Sequence, residues 1–147
     1  VTASPLQIAR MTAAVANGGT LVTPHVATGI IAPDGTVTAI ETDTKQIPVD
    51  PEALQVVREG MHQSVISAAA KNAAVPGVDV AGKTGTAEFK LSGDGVTYLN
   101  HAWFTGFAPY DDPEIVVTVY FELGWGGDLA APAARQIIDY FFENVQP

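Results

Sequence analysis

Three strand-forming segments in the second half of the chain limit the folds open to it. They lie near residues 80–90, 101–108 and 115–122, where β-branched and aromatic residues are frequent. The connections between them are short: residues 92–95 are Ser-Gly-Asp-Gly, and residues 109–113 form the second turn. A parallel crossover needs about a dozen residues or more, so strands joined in this way must be antiparallel neighbours. The sequence therefore predicts an antiparallel sheet.

The first half of the chain is predicted to begin with a helix and to continue into a short hairpin. Ser4 and Gln7 are spaced as a capping box, which marks the start of the helix. Because residues 6–16 are apolar nearly all round, we expect this helix to be buried. Residues 20–40 then predict two short strands around a Pro-Asp-Gly turn at residues 33–35.

Two further helices are predicted to be amphipathic. Asp50 caps the second helix, whose expected buried face comprises Leu54, Val57, Met61 and Val65. The opposite face is expected to meet solvent and comprises Gln55, Arg58, Glu59 and His62. Asp128 precedes the third helix, whose apolar stripe comprises Ala134, Ile137, Ile138, Phe141 and Val145. Helices laid on an antiparallel sheet make an α+β fold.

Composition and charge exclude several classes of function. With 47% hydrophobic and 16% charged residues, the chain has enough apolar material for a core. Its formal net charge of −9 argues against a nucleic-acid partner, because few cations are present to neutralise phosphates. The absence of cysteine excludes disulfides and thiolate sites, and the histidines at 25, 62 and 101 lack metal-ligand spacing. We therefore expect no metal and no cofactor, with His25 and His101 in structural hydrogen bonds.

The segment from Gly82 to Glu88 concentrates the chemistry, and two mechanisms compete for it. Residues 77–84 match the phosphate-loop pattern, with Gly77, four residues, Gly82 and then Lys-Thr. A phosphate loop must follow a buried strand and open into a helix. Residues 71–76 make a poor buried strand, and the residues after Lys83 favour a strand, so a phosphate-loop NTPase is only a remote alternative.

The second mechanism needs Lys-Thr-Gly-Thr on a strand at the lip of a cleft. There Lys83 would supply positive potential beside a serine nucleophile, and the hydroxyls of Thr84 and Thr86 would bind a ligand carboxylate. Gly85 would let an acyl group lie flat against the backbone. The Thr86 N–H would donate into an oxyanion hole, while an extended peptide pairs along the strand edge.

Lys-Thr-Gly is also the third motif of serine penicillin-binding proteins and β-lactamases. Alone it is a weak signal, but further blocks follow the order and approximate spacing of class B penicillin-binding proteins. These blocks are Ser4–Ala9, Ala16–Gly19, Pro24-His25, Gly82–Glu88, His101–Pro109 and Ala131–Arg135. Together they cover nearly the whole chain, which thus resembles the C-terminal half of a class B transpeptidase domain.

The resemblance implies a β-lactamase/transpeptidase-like fold and a role in peptidoglycan cross-linking. Such enzymes join stem peptides through a serine acyl-enzyme outside the cytoplasmic membrane, and β-lactams inhibit them covalently. It implies catalytic roles for Lys83 and Thr86, and substrate binding by Thr84, Gly85 and Thr86. Two rival functions remain: a scaffold or sensor that binds penicillin without turnover, and a carboxypeptidase or β-lactamase in which water accepts the acyl group.

Two motifs of the family are missing from residues 1–147. No serine has a lysine three residues later, and none has an asparagine two residues later. In the family both motifs precede the block that begins at Ser4. We therefore expect a C-terminal portion of the domain, as an engineered piece, a proteolytic fragment or one chain of a split protein. Its partner would be the upstream half, with a membrane anchor further upstream. Alone, the chain is expected to be soluble and inactive, and its uncovered sheet edge to favour self-association.

Three aromatic residues are further candidates for the cleft wall. His101 and Trp103 alternate onto one strand face, where packing is the more frequent role of such residues. Trp125 lies among three glycines, where a tryptophan more often anchors a loop. Glu88 is expected to be an exposed or ion-paired strand residue, not a general acid.

Overall fold

The computed structural model describes residues 2–90 and 98–145. Its longer elements are three helices and three strands, and four strands of three residues each precede the second helix. In chain order they are α1 (Pro5–Ala16), β1 (Thr20–Val22), β2 (Gly29–Ile31), β3 (Val37–Ala39), β4 (Thr44–Gln46), α2 (Pro51–Ser67), β5 (Ala81–Lys90), β6 (Tyr98–Ala108), β7 (Ile115–Phe121) and α3 (Ala131–Asn144). A short 3-10 turn (Lys71–Ala73) follows α2, and a π-helical turn (Gly126–Ala130) leads into α3.

The three long strands form one antiparallel sheet in the order β5-β6-β7. Lys83 lies opposite Thr105, which in turn lies opposite Thr118, so these three residues share one row of the sheet. The predicted antiparallel sheet and its three strands are confirmed. The predicted turn at residues 92–95 lies outside the described residues.

Helices cover both faces of this sheet. On one face, Phe104 and Val117 pack with Ala134 and Ile138 of α3 in the larger apolar core. On the other face, Phe107 packs with residues of α1 and β5 in a smaller core, and Met61 of α2 borders it. The α+β layering therefore has α3 on one side of the sheet and α1 on the other, while α2 contributes Val65 to the larger core and Met61 to the border of the smaller one.

Helix α1 begins where the sequence predicts, but it is not buried all round. The Ser4 side chain accepts a hydrogen bond from the Gln7 N–H, and the Gln7 side chain accepts one from the Ser4 N–H. Thr12, Ala14 and Ala16 are buried, whereas Leu6 is 61% exposed and Met11 is 52% exposed. The expectation of full burial is wrong, because the described elements that contact α1 leave these two large apolar side chains uncovered.

Helix α2 starts at its Asp50 cap, as predicted, but its two faces were only partly anticipated. Leu54 and Val65 are buried, whereas Val57, expected in the core, is 48% exposed. It lies on the same open side of the molecule as Met11 of α1, since both residues line one cavity.

Two residues of α2 that were predicted to meet solvent are instead half-buried. The Arg58 guanidinium donates to the carbonyl oxygens of Ala16 and Tyr110, and its cation lies 5.1 Å from the Phe107 ring centroid. The His62 ring stacks on Tyr110 with centroids 4.3 Å apart. The prediction was wrong because the turn after β6 folds back over this face of α2.

Helix α3 also has a narrower buried stripe than predicted. Ala134 and Ile138 are fully buried, but Ile137 and Val145 are largely exposed. Asp128 lies inside the preceding π-helical turn and makes no side-chain cap to α3. Among the described residues, no helix combines the length and apolar character needed to cross a membrane.

The segment between α1 and α2 contains the predicted hairpin and an additional ladder. Strands β2 and β3 pair antiparallel around residues 33–35, as expected. Strands β1 and β4 also pair with each other and enclose that hairpin. Their three-residue length left no alternating pattern from which to predict them.

Candidate functional site

The Lys-Thr-Gly-Thr sequence lies inside an extended strand. Residues from Ala81 to Lys90 are continuous β5, and only β6 pairs with this strand among the described residues. Lys83 therefore opens no helix, and no helix dipole is available to bind a phosphate there. The phosphate-loop alternative is wrong, and the motif lies on an exposed strand edge.

A pair of glycines and a buried phenylalanine determine how β5 packs against β6 next to Lys83. Gly82 lies opposite Gly106, and the fully buried Phe104 ring covers both. A Cβ atom added to Gly106 would lie 2.5 Å from the Ala81 carbonyl oxygen and 2.8 Å from Phe104 Cζ. Side chains are thus excluded from this cross-strand pair, so β5 and β6 approach closely just before Lys83.

Lys83 projects toward the side of the sheet that carries α1 and α2. It lines a cavity of about 530 Å³ between these helices, and a second cavity of about 230 Å³ lies beside it. Among the described residues that line either cavity, Lys83 is the one charged side chain. Its ammonium is exposed and donates to the Thr84 carbonyl oxygen at 2.6 Å. The site therefore combines apolar walls with one accessible positive charge.

Gly85 occupies a crowded point on the same strand. A Cβ atom on Gly85 would lie 3.2 Å from Trp103 Cβ, which is on the opposite position of β6. The glycine segment before α3 also approaches this residue pair, since a Cβ atom on Gly126 would lie 2.6 Å from the Trp103 carbonyl oxygen. Strand alternation directs Thr84 and Thr86 to the other face from Lys83 and Gly85, and Thr86 is exposed.

The weaker cleft candidates differ in whether they line these two cavities. Trp103 lines the smaller cavity together with Lys83, Thr84 and Gly85. His101 and Trp125 are not among the residues that line either of the two cavities. Trp125 is 58% exposed.

The His101 ring makes a hydrogen bond and a stacking contact with residues that line neither cavity. Its Nδ1 lies 2.7 Å from the Glu122 carbonyl oxygen, and its ring stacks on Phe89 with centroids 4.1 Å apart. His25 is similarly fixed between Ala27 O and Thr42 Oγ1. Both histidines thus make hydrogen bonds, which agrees with the structural bonding expected of them. Among the described residues, no group of three or more His, Asp or Glu side chains is placed to hold a metal ion.

One feature beside Lys83 was not predicted. Thr12 Oγ1 of α1 lies 2.7 Å from Thr105 Oγ1 of β6, and Thr105 Oγ1 lies 2.8 Å from Thr118 Oγ1 of β7. These hydroxyls join the helix to the sheet in the row that contains Lys83. Thr12 and Thr105 are 93 positions apart, so no local pattern indicates the contact.

Comparisons with known proteins match almost the whole chain. The family model of the penicillin-binding protein transpeptidase domain matches residues 1–139. The chain belongs to this family. Peptidoglycan D,D-transpeptidase MrdA of Acinetobacter baumannii is 36% identical over 95% of the chain, which covers 22% of that relative. MrdA of Haemophilus influenzae is 35% identical over 99% of the chain, which covers 25% of it. The chain thus spans about a quarter of the length of these relatives.

Solved structures share the fold over almost the entire chain. The imipenem acyl-enzyme complex of penicillin-binding protein A from M. tuberculosis has a TM-score of 0.82 and 32% identity. The alignment covers 97% of this chain and 31% of that structure. The D,D-transpeptidase domain of a peptidoglycan glycosyltransferase from Eggerthella lenta has a TM-score of 0.81 and 29% identity, over 98% and 33% of the two chains. The predicted β-lactamase/transpeptidase-like fold and the resemblance to class B penicillin-binding proteins are confirmed.

Proposed function

We propose that this chain forms the substrate-binding part of a peptidoglycan D,D-transpeptidase domain. The observation that carries the proposal is the Lys-Thr-Gly-Thr sequence on the exposed edge of β5, with Lys83 lining an apolar cavity. The matched relatives are themselves named peptidoglycan D,D-transpeptidases. Their substrate lies in the cell wall, so the complete protein would act on the outer side of the cytoplasmic membrane.

The reaction we propose is acyl transfer through a serine ester. The serine oxygen attacks the carbonyl of a D-alanyl-D-alanine bond, the terminal D-alanine leaves, and an amine of a second stem peptide takes the acyl group. A β-lactam acylates the same serine when its ring amide bond breaks. The other part of the domain would supply that serine and its base, since residues 1–147 contain no Ser-x-x-Lys sequence.

Each residue of the motif has a defined role in this proposal. Lys83 would stabilise the developing negative charge with its ammonium, and the Thr86 N–H would donate to the oxyanion. The hydroxyls of Thr84 and Thr86, which strand alternation directs to the other face of β5 from Lys83, would bind the substrate carboxylate. Gly85 would leave room for the peptide to pair along the edge of β5.

Exposed apolar side chains around the larger cavity support the proposal that the other part of the domain packs against this surface. Apolar side chains such as Met11 and Val57 border the larger cavity and are about half exposed. Monomeric proteins seldom leave such a surface uncovered. We propose that the serine-bearing part of the domain packs here and brings its hydroxyl near Lys83. Trp103 and Trp125 would border the substrate beside β5. His101 lies further along β6.

The test is acylation of the intact protein by a fluorescent penicillin. We expect Lys83→Ala to slow acylation by roughly 10²-fold or more, as for loss of one electrostatic stabiliser. Lys45→Ala is the matched control, because Lys45 is exposed on β4 in a separate sheet. Wild-type rates in a correctly folded Lys83→Ala protein would remove Lys83 from the mechanism. Turnover of a stem-peptide substrate separates the transpeptidase from a non-catalytic penicillin sensor.

A further inference from the structure

The threonine hydroxyls beside Lys83 form a polar contact between α1 and the sheet. Thr12 is 1% exposed, so its hydroxyl bonds to Thr105 and has little access to water. Thr105 is half-buried and bonds to both Thr12 and Thr118. A buried hydroxyl that loses its partner keeps the full cost of its desolvation, so arrangements of α1 without the Thr12–Thr105 bond are disfavoured.

The Thr12–Thr105 hydrogen bond fixes the position of α1 on the sheet more exactly than the surrounding apolar contacts do. Met11 and Val15 of α1 and Met61 of α2 line the same cavity as Lys83, but apolar packing alone does not specify a direction. A hydrogen bond of 2.7 Å specifies both a distance and an angle. It therefore fixes where α1 lies along β6, at the position directly opposite Lys83 on the neighbouring strand.

We infer that Thr105 is a positioning residue for Lys83. Through its bond to Thr12, it holds α1 at a set distance from β5 and so defines the slot in which the lysine side chain lies. Thr12, Lys83 and Thr105 line the same cavity, and Lys83 and Thr105 also line the smaller one. This inference rests on the proposed function, because it gives Lys83 a place in the reaction. Thr105 itself acts through the lysine and not on the substrate.

The first test replaces the hydroxyl by a methyl group of similar shape. In the intact protein, Thr105→Val removes both of its hydrogen bonds, so Thr12 loses its partner on β6. We expect the second-order rate of acylation by fluorescent penicillin to fall by about tenfold, because small misplacements of a catalytic group lower rates strongly. Thr105→Ser keeps the hydroxyl and should restore the rate to within about twofold of wild type.

A matched variant separates positioning from general loss of stability. Thr118→Val also removes one hydroxyl from the row, but the bond between Thr105 and α1 remains. It should acylate at close to the wild-type rate, even if its melting temperature falls as far as that of Thr105→Val. Equal slowing in the two valine variants would show that the threonines serve stability alone and would overturn the inference.

A double-mutant cycle with Lys83→Ala tests the route of the effect. If Thr105 acts through the lysine, Thr105→Val should cause no further slowing once Lys83 is absent. The same tenfold loss with and without Lys83 would contradict the inference. The proposed function fails separately, if the wild-type protein is not acylated or if Lys83→Ala has no effect.

Discussion

Gly106→Ala tests whether the close approach of β5 and β6 before Lys83 is as tight as the structure shows. The new methyl group would lie 2.5 Å from the Ala81 carbonyl oxygen and 2.8 Å from Phe104 Cζ, far inside van der Waals contact. Neither neighbour has room to move, since Ala81 is paired in the sheet and the Phe104 ring is fully buried. Overpacking of a dense core costs about 1–3 kcal/mol. For a chain of this size, such a loss corresponds to roughly 3–10 °C in melting temperature.

Gly60→Ala is the matched control, because it makes the same chemical change in an open position. Gly60 lies in α2, and a Cβ atom there would meet nothing within 4 Å. Alanine is favoured over glycine in a helix interior by about 0.5–1 kcal/mol, so this variant should be more stable than wild type. Urea unfolding of the 147-residue chain, followed by circular dichroism, measures both. If the free energies of unfolding of the two variants agree within about 0.5 kcal/mol, the packing argument fails.

Two further predictions concern the motif strand and the turn over α2. Gly85→Val should block penicillin acylation of the intact protein while the sheet still folds, because the added side chain presses on Trp103 and fills the strand edge; rapid acylation would refute this. The pKa of Glu59 is lowered mainly by the hydrogen bond that Gln63 donates and further by the one that Tyr110 donates. The contribution of Glu59 to stability is therefore present at neutral pH and is lost as the pH falls through that lowered pKa. Tyr110→Phe removes one donor and should raise the Glu59 pKa toward its ordinary value in an NMR titration, and an unchanged pKa would contradict the assignment.

The parts of the fold that were predictable from sequence are those set by neighbouring residues. The Ser4 capping box, the Asp50 cap and the antiparallel order of the strands each depend on spacings within a few residues. The exposed face of α2 was predicted wrongly because Tyr110, more than 50 positions from Arg58 in sequence, folds back onto it. Such a contact depends on the tertiary arrangement, which helical periodicity does not encode.

The same distinction applies to the candidate site. Lys83 and its neighbours form a contiguous motif, so the strand could be predicted from local sequence, and the chemistry proposed for it rests on the same residues. The contact between Thr12 and Thr105 joins two distant segments, and each threonine taken alone is an ordinary residue in an apolar setting. Likewise, the ring of Phe104 over Gly82 and Gly106 explains those glycines only after the strand register is known.

The central claim is that this chain supplies the Lys-Thr-Gly-Thr strand while another part of the protein supplies the nucleophile. It is tested most directly by incubating the 147-residue chain and the intact protein with labelled penicillin, and then measuring intact mass and locating the adduct. We predict no adduct on the chain alone, and one adduct on the intact protein at a serine outside residues 1–147. The serines of this chain are Ser4, Ser64, Ser67 and Ser92. A stoichiometric adduct on any of them would contradict the account.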